Sequence, residues 1–281
     1  MQTITKIAEL QEKLNSWHKK GESIALVPTM GYLHEGHQSL IRKAYEQNDH
    51  VVVSVFVNPT QFAPEEDLEK YPRDLRHDQL KAETAGANIL FTPSVTELYP
   101  MNFNSYVKVG DVTEVLEGLT RPIHFQGVTT IVTKLLHIVQ PQMIYFGQKD
   151  AQQLVVIKKM VRELNFSVKV IGCPIIREED GLAKSSRNIY LSPSERQAAV
   201  SLSQSLKLAK AALINGQRTS HKLIKIIVQR LEAEPLAEID YVKVVDTQTL
   251  KAIDRIDQTA LILLAVKIGK TRLIDNLLYQ K

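Results

Sequence analysis

The sequence predicts an α/β fold: a doubly wound parallel sheet followed by a smaller C-terminal α+β domain. Three observations carry this expectation. Apolar strands and helical stretches alternate through residues 23–171. The run 51–57 is apolar on both faces, as a strand inside a parallel sheet must be. Beyond residue 176 the rhythm changes, with helices first and consecutive strands after them.

The elements follow in order. An amphipathic first helix holds the lone Trp17, which reads as a core or helix-packing residue. A strand at 23–27 precedes a helix at 36–47, where Leu40, Ile41, Ala44 and Tyr45 recur at helical spacing. The strand 51–57 completes a βαβ unit. A helix at 74–85, a strand at 87–91 and a strongly apolar helix at 128–139 continue the alternation. A short strand at 143–146, an amphipathic helix at 152–164 and a strand at 167–171 end it. The first domain is therefore set at 1–176 and the second at 177–281. The second opens on a polar loop, REEDGLAKSSRN, and continues with helices at 194–214 and 220–231. Strands at 239–245, 261–268 and 272–276 close it.

Composition removes several classes. The chain has 281 residues, 44% of them hydrophobic, and 35 Lys+Arg stand against 31 Asp+Glu for a net charge of +4. That is too apolar and too evenly charged for disorder. A single cysteine, Cys173, excludes a disulfide framework and a Cys-rich zinc site. No apolar run approaches the roughly 20 residues of a membrane span; the longest, 260–266, is a strand's length. The first residues lack the apolar stretch of a signal peptide, so a cytoplasmic protein without membrane attachment is expected. Residues 1–176 carry 18 basic and 19 acidic side chains, and 177–281 carry 17 and 12. The excess is spread along helices, which argues against a nucleic-acid face and for small anionic substrates.

Two segments carry chemistry. PTMGYLHEGH, residues 28–37, lies where the first strand ends and a helix begins. A helix N-terminus offers unpaired N–H groups and a positive dipole end to a phosphate. His34 and His37 can donate hydrogen bonds to oxygens that gain charge as a phosphate is attacked. The alternatives are a plain helix cap and a metal pair; the i, i+3 spacing and the lack of an evident third ligand speak against the metal. GLAKSSRN, residues 181–188, gathers Lys184, Ser185, Ser186 and Arg187 into a donor cluster suited to a triphosphate. Taken alone it also reads as a solvated loop. Gly269-Lys270-Thr271 imitates the end of a P-loop, but the earlier glycine that motif needs is Leu264. Cys173 has no base near it in sequence and is not expected to act as a nucleophile.

Together, the His-x-Gly-His element and the Lys-Ser-Ser loop resemble class I nucleotidyltransferases and their Rossmann-like nucleotidyltransferase fold. More specifically, PTMGYLHEGH, VVSVFVNPTQF, KYPRDL, VLEGLTRPIHFQGV, YFGQKDAQQL, REEDGLAKSSRNIYLS and LAVKIGKTRLIDN resemble the pantothenate synthetase (pantoate–β-alanine ligase) family. These stretches run in order over nearly the whole chain. Lys184 stands where many relatives carry methionine, and Ile123 where glycine is common.

The resemblance implies a ligase that joins (R)-pantoate to β-alanine with ATP and Mg²⁺ and releases AMP and pyrophosphate through a pantoyl adenylate. It assigns catalysis to His37, His34 and Lys149. It places ATP on the Met30–Gly31 backbone, both histidines, Gly147, Gln148, Lys149, Asp150, the backbone of Ile176, and Lys184, Ser185, Ser186 and Arg187. Gln61 and Gln153 would hold pantoate, which suits an amide that both donates and accepts toward hydroxyls. Asn58 matches a further substrate position. Mg²⁺ is expected through the ATP phosphates with no protein metal site. The resemblance also suggests a homodimer. Glu117, Arg121 and His124 lie in a segment that matches the family well; they are not counted among the site residues, and a structural role, such as a dimer contact, is open to them.

Overall fold

A computed structural model describes residues 1–66 and 68–281. The chain divides into two compact units, 1–148 with 152–174, and 149–151 with 175–281.

The first unit holds a six-stranded parallel sheet. Its strands are β1 (Gln2–Ile4), β2 (Ile24–Thr29), β3 (His50–Val55), β4 (Ile89–Phe91), β5 (Met143–Gly147) and β6 (Lys169–Cys173), in the spatial order β1-β4-β3-β2-β5-β6. Every pairing is parallel. The helices are α1 (Ile7–Lys19), α2 (Glu35–Gln47), α3 (Leu75–Thr84), the short α4 (Val95–Leu98) and α5 (Glu117–Thr120), α6 (His124–Val139) and α7 (Ala151–Glu163). The first half of the chain builds outward from β2 in one direction and β5–β6 extend the other way. The switch point therefore falls between β2 and β5, where a doubly wound sheet takes its ligand beyond the strand ends.

Side chains alternate across each strand. Ala25, Val27, Val51, Val53 and Leu90 share one core with Leu40, Ile41 and Ala44 of α2 and Ala82 of α3. Leu26, Val52 and Ile89 point the other way and are equally buried, on the side where α6 meets β2. This is why β3 reads as a continuous apolar run. Trp17 is buried in α1 and stacks on the ring of His50, with centroids 3.8 Å apart. Cys173 is buried, and burial pushes its thiol pKa up, which disfavours the nucleophilic thiolate.

The second unit contains helices α8 (Pro193–Ala198), α9 (Val200–Ile214) and α10 (Ser220–Glu232). Strands β7 (Ala237–Val245), β8 (Thr259–Ile268) and β9 (Thr271–Gln280) form an antiparallel sheet in that order. Leu202, Leu206, Leu223 and Ile227 pack with Val242, Ile262, Leu264 and Val266 into one core. Gly269 and Lys270 are the two-residue turn between β8 and β9, so the P-loop-like triplet is hairpin geometry.

Four of the departures from the sequence expectation have a plain physical cause. β1 is not anticipated, because three residues are too few to show a period; its pairing with β4 creates it. α6 starts at His124, four positions before the expected 128, since Gly127 masks the helical pattern. β6 lies two residues later than expected, where its register with β5 puts Gly147 against Cys173. The helix expected over 194–214 is two, because Ala199 ends the short capped turn that begins at Ser192.

Candidate active site

In the first unit the candidate site is built on the segment leaving β2. Gly31 has φ +88°, and a Cβ there would lie 2.9 Å from the Asp78 carboxylate and 3.0 Å from Val55. Only glycine suits that position. The next residue, Tyr32, also lies in the left-handed region at φ +51°. Asp78 from α3 holds this bend, accepting the N–H groups of Tyr32 at 3.1 Å and Leu33 at 2.7 Å. His77 Nε2 meets the Leu33 carbonyl at 2.8 Å and so donates to it.

His34 is the N-cap of α2, and its Nδ1 accepts the Gly36 N–H at 3.1 Å. The His34 N–H in turn donates to Nδ1 of His37 at 3.2 Å. Both Nδ1 atoms are thus acceptors, which leaves each neutral ring with its proton on Nε2. The rings lie 4.1 Å apart at 36°. Gly36 permits this, because a Cβ there would come within 2.8 Å of the His34 ring. A pair of Nε2–H donors at a helix N-terminus is suited to anionic oxygen. The cap reading of this motif is therefore also true, since capping fixes the tautomers.

Gln61 lies in the 3₁₀ turn Pro59–Gln61 beyond β3. Its Nε2 contacts the Met30 sulfur at 2.9 Å, which joins it to the β2 segment. Asn58 Nδ2 donates to Gln61 Oε1 at 3.1 Å. The Gln61 carbonyl accepts from Arg121 Nη2 at 3.4 Å and from His124 Nδ1 at 3.1 Å. Arg121 is paired with Glu66 at 2.7 and 2.8 Å. Burial works to raise the Glu66 pKa, but the Arg121 hydrogen bond and charge outweigh it, and the carboxyl sits below its ordinary value. Arg121 and His124 thus anchor the backbone of Gln61. Gln153 is half-buried on α7, while its neighbour Gln152 is spent on the carbonyls of Val112 and Val115. Gly147 and Gln148 leave the carboxyl end of β5.

The second unit holds the remaining predicted residues. Residues 176–184 form a small hairpin, with Lys184 N–H on the Ile176 carbonyl at 3.0 Å and Arg177 bridged to Ala183. Leu182 and Ala183 are buried beneath it. A scaffold thus carries what composition suggests is a bare polar loop. Lys184 Nζ pairs with Glu178 at 2.9 Å. Ser185 caps the 3₁₀ turn Ser186–Tyr190 by accepting the Arg187 N–H, and Ser186 is buried. Arg177 grips the buried Asp275 of β9 at 2.6 and 2.9 Å and reaches the Gly181 carbonyl at 3.1 Å. Next to Asp275, Asn276 donates to the Lys149 carbonyl at 2.9 Å. Adjacent residues of β9 therefore hold the 181–187 segment and the Lys149–Asp150 turn.

Asp78, Arg177 and Asp275 escape the sequence reading. Their partners are backbone groups or distant side chains, and no local spacing signals them. Burial is the main influence on Asp78 and raises its carboxyl pKa, against the pull of the two N–H bonds. A folded pKa above the unfolded 3.8 means stability is lost as pH rises through the folded value. Asp78→Asn is expected to remove that loss, so its stability should vary less with pH than wild type above pH 3.8. The amide presents a donor to one of the two N–H groups it must hold, and kcat should fall about tenfold, near one net hydrogen bond. Denaturant unfolding across pH and steady-state kinetics check the two effects.

Among the described residues, no group of three or more His, Cys, Asp or Glu could hold a metal ion. No described helix is long and apolar enough to cross a membrane. The family model described as pantoate-beta-alanine ligase matches residues 2–278. The pantothenate synthetase of Acetivibrio thermocellus is 54% identical over 280 residues, which covers 100% of both chains. That of Enterococcus faecalis is also 54% identical, over 98% of this chain and 97% of its own. Among solved structures, pantothenate synthetase from Thermus thermophilus superimposes with a TM-score of 0.94 at 44% identity, covering 99% of each chain. Pantoate-beta-alanine ligase from Francisella tularensis, in complex with beta-gamma ATP and beta-alanine, gives 0.81 at 35% identity over 99% and 97%. Fold, length and sequence agree from end to end: the chain belongs to the pantoate–β-alanine ligase family.

Proposed function

We propose that this enzyme activates (R)-pantoate as a pantoyl adenylate and then transfers the pantoyl group to β-alanine, releasing pyrophosphate in the first step and AMP in the second. The observation that carries the reading is the His34/His37 pair, with both Nδ1 atoms committed to the cap of α2 and the protons left on Nε2. Family membership supports the ligase reaction, and the Francisella tularensis relative was solved in complex with beta-gamma ATP and beta-alanine.

A carboxylate is a poor electrophile, because an amine would have to expel oxide from it. In the proposed first step a pantoate carboxylate oxygen attacks the α-phosphorus, and the bond from that phosphorus to the β-phosphate oxygen breaks. Negative charge grows on the phosphate oxygens, where Nε2–H donors are worth most. In the second step the β-alanine amine attacks the acyl carbon, the carbon–oxygen bond to AMP breaks, and the amine loses a proton. The protein's part is alignment and charge stabilisation.

Gln61 and Gln153 would hold pantoate. The backbone of Met30 and Gly31, together with Gly147 and Gln148, would lie along the nucleotide. Ile176 would meet the adenine, Asp150 the ribose, and Lys149, Lys184, Ser185, Ser186 and Arg187 the phosphates. Mg²⁺ would arrive on the triphosphate, whose oxygens are the hard ligands it prefers; it would offset phosphate charge there. A homodimer is carried by the resemblance alone, and sedimentation reads it; a cytoplasmic location belongs to the same proposal.

Pantoate labelled with ¹⁸O in its carboxylate is expected to deliver one label to AMP and none to pyrophosphate. Mass spectrometry of the products checks this. ADP with labelled inorganic phosphate would mean an acyl phosphate instead. Unlabelled AMP would mean that the pantoate oxygen never bonded to the α-phosphorus.

A further inference from the structure

Asn58 is 1% exposed, and its side chain is saturated inside the protein. Its Oδ1 accepts from the Tyr99 hydroxyl at 2.8 Å and from Thr60 at 3.0 Å. Its Nδ2 donates to Gln61 Oε1 and to the Gly127 carbonyl, both at 3.1 Å. An asparagine amide offers two acceptor and two donor positions, so none remains for a ligand.

The polarity of this chain of amides is set from both sides of Asn58, by the Gly127 carbonyl on its Nδ2 and by the Tyr99 hydroxyl on its Oδ1. A backbone carbonyl can only accept, so the end of Asn58 facing Gly127 must be the NH₂ group. The same NH₂ group faces Gln61, whose amide must turn its oxygen toward it. That turns Gln61 Nε2 toward the Met30 sulfur, a weak acceptor that asks little of it. Tyr99 closes the network from the far side. Its ring is held by Phe103, edge-on at 4.9 Å, and by the ammonium of Lys134 at 5.6 Å. Burial raises the phenol pKa, so the hydroxyl stays a donor.

We propose that Tyr99 is a positioning residue for pantoate, acting through Asn58 to hold the Gln61 amide with its NH₂ group turned to the substrate. This rests on the pantoate role proposed above for Gln61. It also recasts Asn58, which the resemblance offers as a ligand contact, as the link between Tyr99 and Gln61. A glutamine with an unsupported amide samples both orientations and loses binding without losing the catalytic groups.

The test is a double-mutant cycle of Tyr99→Phe and Gln61→Ala, read in KM for pantoate, KM for ATP and kcat. Phenylalanine keeps the ring and removes only the hydroxyl. Tyr99→Phe alone is expected to raise the pantoate KM about tenfold, as one buried hydrogen bond would, with ATP KM and kcat within about twofold. In the Gln61→Ala background the same change should raise the pantoate KM by less than about twofold, because the group it positions is gone. An equal rise in both backgrounds would overturn the proposal, since Tyr99 would then act independently of Gln61. So would an equal rise in the ATP KM, the mark of a general structural effect. A wild-type enzyme that binds ATP but does not turn over pantoate would overturn both this inference and the reading beneath it. Wild-type turnover with an additive cycle overturns this inference alone.

Discussion

Replacing His37 by alanine is expected to lower kcat by about 10²–10³, equivalent to roughly 3–4 kcal/mol of lost transition-state stabilisation. The side chain removed is the acceptor for the His34 N–H as well as an Nε2–H donor. The two roles separate experimentally. Loss of a cap costs about 1 kcal/mol of stability, which thermal unfolding reads directly. His37→Asn retains a short acceptor suited to a cap, so it should recover stability and leave kcat low. Turnover of His37→Ala within about twofold of wild type would remove the histidine from the mechanism.

The second large effect is expected at Arg177. Its removal strands the Asp275 carboxylate, whose side chain is 1% exposed. Breaking a buried ion pair on one side costs about 3–5 kcal/mol in well-enclosed cases. Arg177 itself is 28% exposed and Asp275 keeps the Asn276 N–H, so about 3 kcal/mol is expected for Arg177→Ala. Replacing both partners by apolar residues should cost much less. Denaturant midpoints of the single and double variants check this ordering. A single variant as stable as wild type would show that water reaches the Asp275 carboxylate.

The sheet is legible in sequence where burial is two-sided. Val51, Val52 and Val53 are all fully buried, so β3 shows as an unbroken apolar run. The reverse holds for β1, whose three residues carry one buried side chain, Ile4. Nothing local distinguishes them until β4 lies alongside. The candidate site divides in the same way. The histidine segment shows itself because its residues are adjacent in sequence and meet at the junction of a strand and a helix. Tyr99, Asp78 and Asp275 do not, because each acts on a segment that is distant in sequence. Such contacts obey chemistry without obeying a period.

The strand order has a consequence for how the chain is made. Asp49 joins Ser23 across 26 positions, whereas Gln142 reaches Ile24 across 118. Closing the longer loop costs about 1.3 kcal/mol more in chain entropy, a small difference in the finished fold. In time the difference is larger. β2, β3 and β4 can assemble once Phe91 has left the ribosome, but β5 begins 52 positions later at Met143. At roughly 5–20 residues per second, the far edge of β2 waits about 3–10 s for its partner. That edge carries Ala25 and Leu26, fully buried in the finished sheet, and exposed apolar edges recruit other chains. The interval between β4 and β5 is therefore when a nascent copy is most open to pairing with its neighbours. Slowing translation there should lower soluble yield without altering the stability of the molecules that fold.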